Sequence, residues 1–130
     1  MDKKALIEEA RLGRDNASAP FSKYKVGAAL LTTDGRVYRG CNVENCTYAL
    51  TVCAERVALL SAIAAGDRKF TAIAVVTQSE NPASPCGPCR QLLWEYCGDI
   101  DVTIANLDGK AETMKLSELL PRPFSFSLED

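Results

Sequence analysis

FTAIAVVT, residues 70–77, is the stretch on which the reading of this chain turns. It is apolar almost throughout, so it reads as a strand covered on both faces rather than one with a wet side. Upstream, Thr51 opens the run VCAERVALLSAIAAG, whose apolar residues recur three and four apart and which stops at Gly66, a helix pattern. Downstream, Pro85 and Pro88 punctuate the start of a second helix that runs through CRQLLWEY to Gly98, and Asp101 to Ala105 is a short apolar strand. Further out, Ala5, Leu6, Ala10 and Leu12 sit among charges in residues 3–14, a first helix with a solvated face that ends near Gly13. Tyr24 to Leu31 reads as a strand, and Asp34-Gly35 as a hairpin turn into a second strand, Arg36 to Cys41. Asp108-Gly109 is another turn, Met114 to Leu120 a short strand or helix end, and the tail PRPFSFSLED too rich in proline for a regular element. The order αββαβαβ predicts a single α/β domain over residues 1–130, with helices on both faces of one sheet.

The composition sets bounds on the chemistry. The chain has 130 residues, 47% hydrophobic and 25% charged, enough for one core without disulfide staples. It has six cysteines and no histidine. That excludes a Ser-His-Asp triad, a Cys-His pair and any metal site with imidazole ligands, and leaves acid–base work to Glu, Asp, Lys, Tyr or Cys. A net charge of −2 lacks the electrostatic footprint of a nucleic-acid binder. No apolar run has the length of a signal-peptide core or of a membrane span, so a cytoplasmic protein with free thiols is expected.

Two cysteine clusters carry the candidate chemistry: Cys53-Ala54-Glu55-Arg56 and Pro85-Cys86-Gly87-Pro88-Cys89, each at the start of a predicted helix. Cys86 and Cys89, at i and i+3, face the same way and could share a metal or form a redox pair. No second C-x-x-C exists to complete a four-cysteine zinc ribbon, and Cys41 and Cys46 do not supply one. On a helix flank Cys53 and Glu55 would point apart, but at a helix end first-turn side chains converge on what lies beyond the terminus. The spacing therefore predicts two helix N-termini aimed at one zinc, held by three thiolates with a fourth position open as in catalytic sites. Glu55, beside the ligands, would serve as proton acceptor and donor. Three thiolates leave the centre negative. Two helix N-termini, each equivalent to about half a positive charge, offset part of this, and Arg56 and Arg90 would offset more by hydrogen bonding to sulfur.

C-A-E followed by P-C-x-x-C resembles the zinc-deaminase signature. FSKYKVGAAL at 21–30, GCNVENCTY at 40–48, SPCGPCRQ at 84–91 and LLPRPF at 119–124 resemble the cytidine deaminase family, in its order and over nearly the whole chain. The resemblance implies a three-layer α/β/α sandwich with a mixed sheet, and zinc-dependent hydrolytic deamination of cytidine and deoxycytidine in pyrimidine salvage. It implies one Zn²⁺ per chain on Cys53, Cys86 and Cys89, with Glu55 as the proton shuttle. Asn42 and Glu44 match residues that bind the ribose 3′-hydroxyl. Ala54, Ser84 and Pro85 match the segments that read the base. Tyr24 stands where the family often has a Phe packed on the pyrimidine. Phe124 matches an aromatic that reaches a neighbouring subunit's base, and Cys46 and Tyr48 lie in a segment that also crosses subunits. A homotetramer with shared active sites follows from the family, with no nucleic acid and no membrane as partners.

Other readings stand beside this one. Cys41 and Cys97 read as core or incidental thiols, and Leu93 and Trp94 as core. The rival enzyme is a related deaminase of another aminopyrimidine or of a nucleoside antibiotic such as blasticidin S. A noncatalytic zinc or redox module is the rival from another class. Asn42 and Glu44 favour a free nucleoside, and the short acidic chain disfavours a polynucleotide substrate.

Overall fold

A computed structural model describes residues 1–125 of the chain; the end of the proline-rich tail, 126–130, lies outside them. The elements follow in the order α1 (Lys3–Arg14), β1 (Gly27–Thr32), β2 (Val37–Cys41), α2 (Ala54–Ala64), β3 (Phe70–Thr77), α3 (Gly87–Cys97), β4 (Asp101–Asn106), β5 (Ala111–Lys115) and α4 (Leu116–Leu119). The strands form one sheet in the order β2-β1-β3-β4-β5, with β3 and β4 parallel and the other pairs antiparallel. It is therefore the mixed sheet that the resemblance implies.

The central strands are mostly apolar because both faces are covered over most of their length. Ala28, Leu30, Ile73, Val75, Val102 and Ile104 face α2 and α3, where they pack on Leu59 and Leu93. Ala29, Leu31, Ala74 and Val76 point the other way, against Leu6 and Ala10 of α1. Three layers result. Leu30, Leu59 and Ile73 are fully buried, and each such side chain stabilises the fold by roughly 1.5–3 kcal/mol. On α1, Leu6, Ala10 and Gly13 form the buried stripe while Glu8 and Arg11 pair at 2.6 Å on the wet side. Leu93 is core as expected, and Trp94 is partly buried against it.

Helix α2 approaches the sheet unusually closely. Its inner seam is Ala54, Ala58 and Ala62, and Gly40 of β2 faces it. A Cβ at Gly40 would overlap the Ala54 carbonyl oxygen and stand 2.6 Å from the Ala58 nitrogen. The absent side chain thus sets how near the first turn of α2 lies to the sheet.

Three element boundaries differ from the sequence expectations. The first strand begins at Gly27 rather than Tyr24, because the Asn42 side chain takes the Tyr24 carbonyl and the Val26 N–H that a strand partner would otherwise pair, leaving one backbone bond, from Asn42 N–H to the Val26 carbonyl. Asn42 Nδ2 donates to the Tyr24 carbonyl at 2.7 Å, and Val26 N–H donates to Asn42 Oδ1 at 2.8 Å. The second helix begins at Ala54, not Thr51, because Val52 exchanges two backbone hydrogen bonds with Val43 and stays extended. The segment 111–120 divides into β5, a mostly polar strand at the sheet's edge, and the single turn α4.

Candidate active site

The late start of α2 places Cys53 at its N-cap, and α3 has Cys86 at the same position. N-cap side chains normally fold back onto the helix's free N–H groups. Neither cysteine does so; both sulfurs are left for what lies beyond the helix ends. Cys53 Sγ is 4.0 Å from Cys86 Sγ, and Cys86 Sγ is 3.2 Å from Cys89 Sγ. Thiolates at tetrahedral corners ~2.3 Å from zinc stand ~3.8 Å apart, a value these two distances bracket. Among the described residues, these three form the one group of Cys, Asp or Glu side chains close enough together to hold an ion. The donor set fits zinc, and all three sulfurs are the expected ones.

The electrostatics of the three thiols point the same way. Hydrogen bonding to Cys89 first, then to Cys86, and the charge of Arg56 push the Cys53 thiol down to about 6 against its partial burial. Cys89 moves the opposite way: its proton serves Cys53, it is buried, and Glu55 is near. One thiolate forms readily and the next is opposed by it, and a bound dication removes that opposition.

Glu55, in the first turn of α2, is only 5% exposed. Burial holds its carboxyl above the usual range, and the Cys53 charge adds to this; a hydrogen bond from its own backbone and one with Cys89 oppose it. It lines a pocket whose other walls are Tyr24 and Val26, Asn42, Val75, Ser84 and Cys86. Ala54 lies in the same wall, fully buried. A buried carboxyl with an elevated proton affinity beside a cation site suits repeated proton transfer near neutral pH.

The remaining expected residues divide by position. Asn42 lines the pocket and is itself held by Tyr24 and Val26. Tyr24 adds a wall, and its hydroxyl pairs with Ser79, so the extra oxygen that distinguishes it from Phe has a partner. Glu44 lies in a neighbouring depression with Phe21, Ser22 and Tyr48; Thr51 borders both. Hydrogen bonds from the Ser22 side chain and backbone, then from Phe21 N–H, hold the Glu44 carboxyl below its usual range. Cys46, Tyr48 and Phe124 are exposed and do not join the pocket of this chain. The Tyr48 and Phe21 rings meet edge to face, while the Phe124 backbone is fastened to α3 by the Gln91 side chain, whose Nε2 donates to the Phe124 carbonyl and whose Oε1 accepts from the Phe124 N–H.

The arginines require a correction. Arg90 does not hydrogen-bond sulfur: its donors go to the Pro85 carbonyl at 2.7 Å, the Leu119 carbonyl at 2.7 Å and Ser84 Oγ at 2.8 Å. The planar guanidinium reaches three acceptors on two segments, so the residue is a clamp between the pocket wall and the end of α4. Arg56 acts on Cys53 by charge. Cys41 and Cys97 lie apart from the cluster, half-buried, with Cys97 pushed up to about 12 by burial.

Sequence reasoning missed Val26, Thr51, Val52, Val75, Thr77 and Ala83 as pocket walls. For Thr77 a signal existed. It is the polar residue closing an apolar run, at the C-terminal end of a strand with a parallel neighbour, where ligands of α/β sheets collect.

Comparison with known proteins places this site in context. Residues 1–105 match the family model described as the cytidine and deoxycytidylate deaminase zinc-binding region. A cytidine deaminase of Sporosarcina psychrophila is 48% identical over 126 residues, spanning 96% of this chain and 93% of that one. The crystal structure of cytidine deaminase from Burkholderia pseudomallei superposes with a TM-score of 0.92 at 49% identity, covering 95% of this chain and all of the other. A blasticidin-S deaminase of Bacillus cereus is 35% identical over 112 residues, with 80% of this chain and 79% of that one covered.

Proposed function

The chain belongs to the cytidine and deoxycytidylate deaminase family, and from that premise we propose how its own residues carry the reaction. It is a zinc-dependent enzyme that hydrolytically deaminates cytidine, with one Zn²⁺ per chain. Cys53, Cys86 and Cys89 would hold the zinc, which would supply the Lewis acidity that makes water a nucleophile at neutral pH. Glu55 takes a proton from the attacking water and hands it to N3 as the oxygen adds to C4. It then delivers a proton to the C4 amino group, and the C–N bond breaks to release ammonia and leave uridine. Water supplies every proton moved, so Glu55 ends as it began. The observation that carries this assignment is the burial of Glu55, among the described residues the sole carboxylate in the pocket walls, beside the three sulfurs.

Ala54, with Ser84 and Pro85, reads the base, and Tyr24 packs against it. Asn42 and Glu44 bind the ribose 3′-hydroxyl, which cytidine and deoxycytidine share, so both are substrates. Their placement on either side of Thr51 supports one nucleoside spanning pocket and depression. The pocket of one chain is about 220 Å³, below the ~300–1,000 Å³ of complete small-molecule sites. The exposure of Tyr48 and Phe124 supports the remainder coming from neighbouring copies in a homotetramer, with Cys46 in the crossing segment. Arg56 offsets the charge of the three thiolates. Among the described residues no helix is long and apolar enough to cross a membrane, and we place the enzyme in cytoplasmic pyrimidine salvage.

Loss of cytidine's ultraviolet absorbance on adding zinc-loaded protein tests the reading, and no change refutes it. Glu55→Gln with zinc retained is expected to lower kcat by about 10²–10⁴-fold. Near-normal turnover in that variant ends the Glu55 assignment.

A further inference from the structure

The polar side chains in the pocket walls can be accounted for one by one. Tyr24 hydroxyl pairs with Ser79, and Asn42 is held at both ends by the backbone of residues 24 and 26. Thr51 Oγ1 accepts from Asn45 N–H at 3.2 Å, and Ser84 Oγ accepts from Arg90 at 2.8 Å. Glu55 is the proton shuttle. Thr77 remains. Its residue is 2% exposed, and its Oγ1 has no hydrogen-bond partner among the described residues.

The strand geometry says which face carries that side chain. Ile73, Val75 and Thr77 alternate onto the face of β3 that packs under α2 and α3, and Val75 and Thr77 both line the pocket. Thr77 closes the strand, one position from the loop that carries Ser79. A buried hydroxyl without a partner is unfavourable, and side chains in cores with no ligand to meet are normally apolar at such a place. We infer that Thr77 Oγ1 hydrogen-bonds a polar atom of the pyrimidine base, which makes Thr77 a further substrate-contacting residue. The base, rather than the sugar, is its partner because Glu55, equally buried in the same walls, must reach the reacting ring. A hydroxyl both donates and accepts, so it can meet the ring carbonyl of cytosine and the same atom in uracil without changing protonation. This inference rests on the deaminase reading above.

The test compares Thr77→Val and Thr77→Ser with wild type, each checked for one zinc per chain, melting temperature, kcat and KM for cytidine, and inhibition by uridine. Thr77→Val keeps the shape and removes the oxygen. It is expected to lower kcat/KM on the order of fivefold, mainly through KM, and to weaken uridine inhibition by a similar factor. Its melting temperature should equal or exceed that of wild type, since the hydroxyl it lacks had no protein partner. Thr77→Ser, which keeps the oxygen, should stay within twofold of wild type. Unchanged kcat/KM in Thr77→Val overturns the inference, as does a lowered melting temperature in that variant or an equal loss in Thr77→Ser. In each of those cases wild type still deaminates cytidine; wild type that leaves cytidine unchanged overturns the functional reading itself, and this inference with it.

Discussion

Replacing Gly40 with alanine tests whether the spacing between α2 and the sheet positions the catalytic end of that helix. The added Cβ meets the Ala54 carbonyl oxygen, and it stands 2.6 Å from the Ala58 nitrogen and 2.9 Å from Ala58 Cβ, where ordinary contacts begin near 3.4 Å. The obstacles are mostly backbone, so no side chain can swing away, and the first turn of α2 must withdraw by roughly 1 Å. Overpacking of this kind costs about 1–3 kcal/mol. For a chain of this size that is a fall in Tm of about 4–12 °C. The displaced turn contains Glu55 and follows Cys53, and a shift of ~1 Å at reacting groups can cost ~10²-fold. Gly40→Ala should therefore lower kcat by ten- to a hundredfold in protein that is still folded, read by cytidine absorbance below the melting range. Gly27→Ala is the control. Its Cβ would overlap the Ala10 carbonyl oxygen and stand 2.6 Å from the Arg14 nitrogen, pressing on α1 across the sheet from the site. It should melt early by a similar amount yet keep kcat within about threefold. If Gly40→Ala melts within about 1 °C of wild type, or both variants lose kcat equally, the argument from helix spacing fails.

Arg90 and Asp67 give two further tests. Arg90→Met removes the hydrogen bonds to Ser84, Pro85 and Leu119, so KM for cytidine should rise about tenfold while zinc content and the pH profile stay as in wild type. Zinc loss or a shifted profile would instead make Arg90 a charge partner of the thiolates. Asp67 accepts hydrogen bonds from Arg36 and Tyr38, which hold its carboxyl below the ordinary range. A depressed folded-state pKa gives stability that is present above the unfolded value, about 3.9, and lost as the pH falls through the lower folded value. Acid unfolding followed by circular dichroism should accordingly be shallower below about pH 4 in Asp67→Asn than in wild type. Identical slopes would mean that the Arg36–Asp67–Tyr38 group does not couple to folding.

Much of this protein can be read from its residues in order. The nearly apolar run 70–77 reads as a strand covered on both faces, and helices before and after it point to layers on either side. The absence of histidine and the pattern of three cysteines with Glu55 point to a thiolate zinc centre before any coordinate is known, because ligand chemistry depends on residue type and local spacing. What the order of residues leaves open is where backbone and side chain compete for the same partner. Asn42 replaces most of the strand pairing at residues 24–26, and Val43 keeps Val52 extended so that Cys53 becomes the N-cap of α2. Arg90 turns from the sulfurs to carbonyls that the fold brings within reach, and Thr77 becomes a pocket wall only because β3 ends beneath two helices. These outcomes depend on distances between segments far apart in the chain, which no local pattern encodes. Residue type and local order set which atoms can do the chemistry; packing settles which of them meet, because it alone sets the separation of α2, α3 and the sheet.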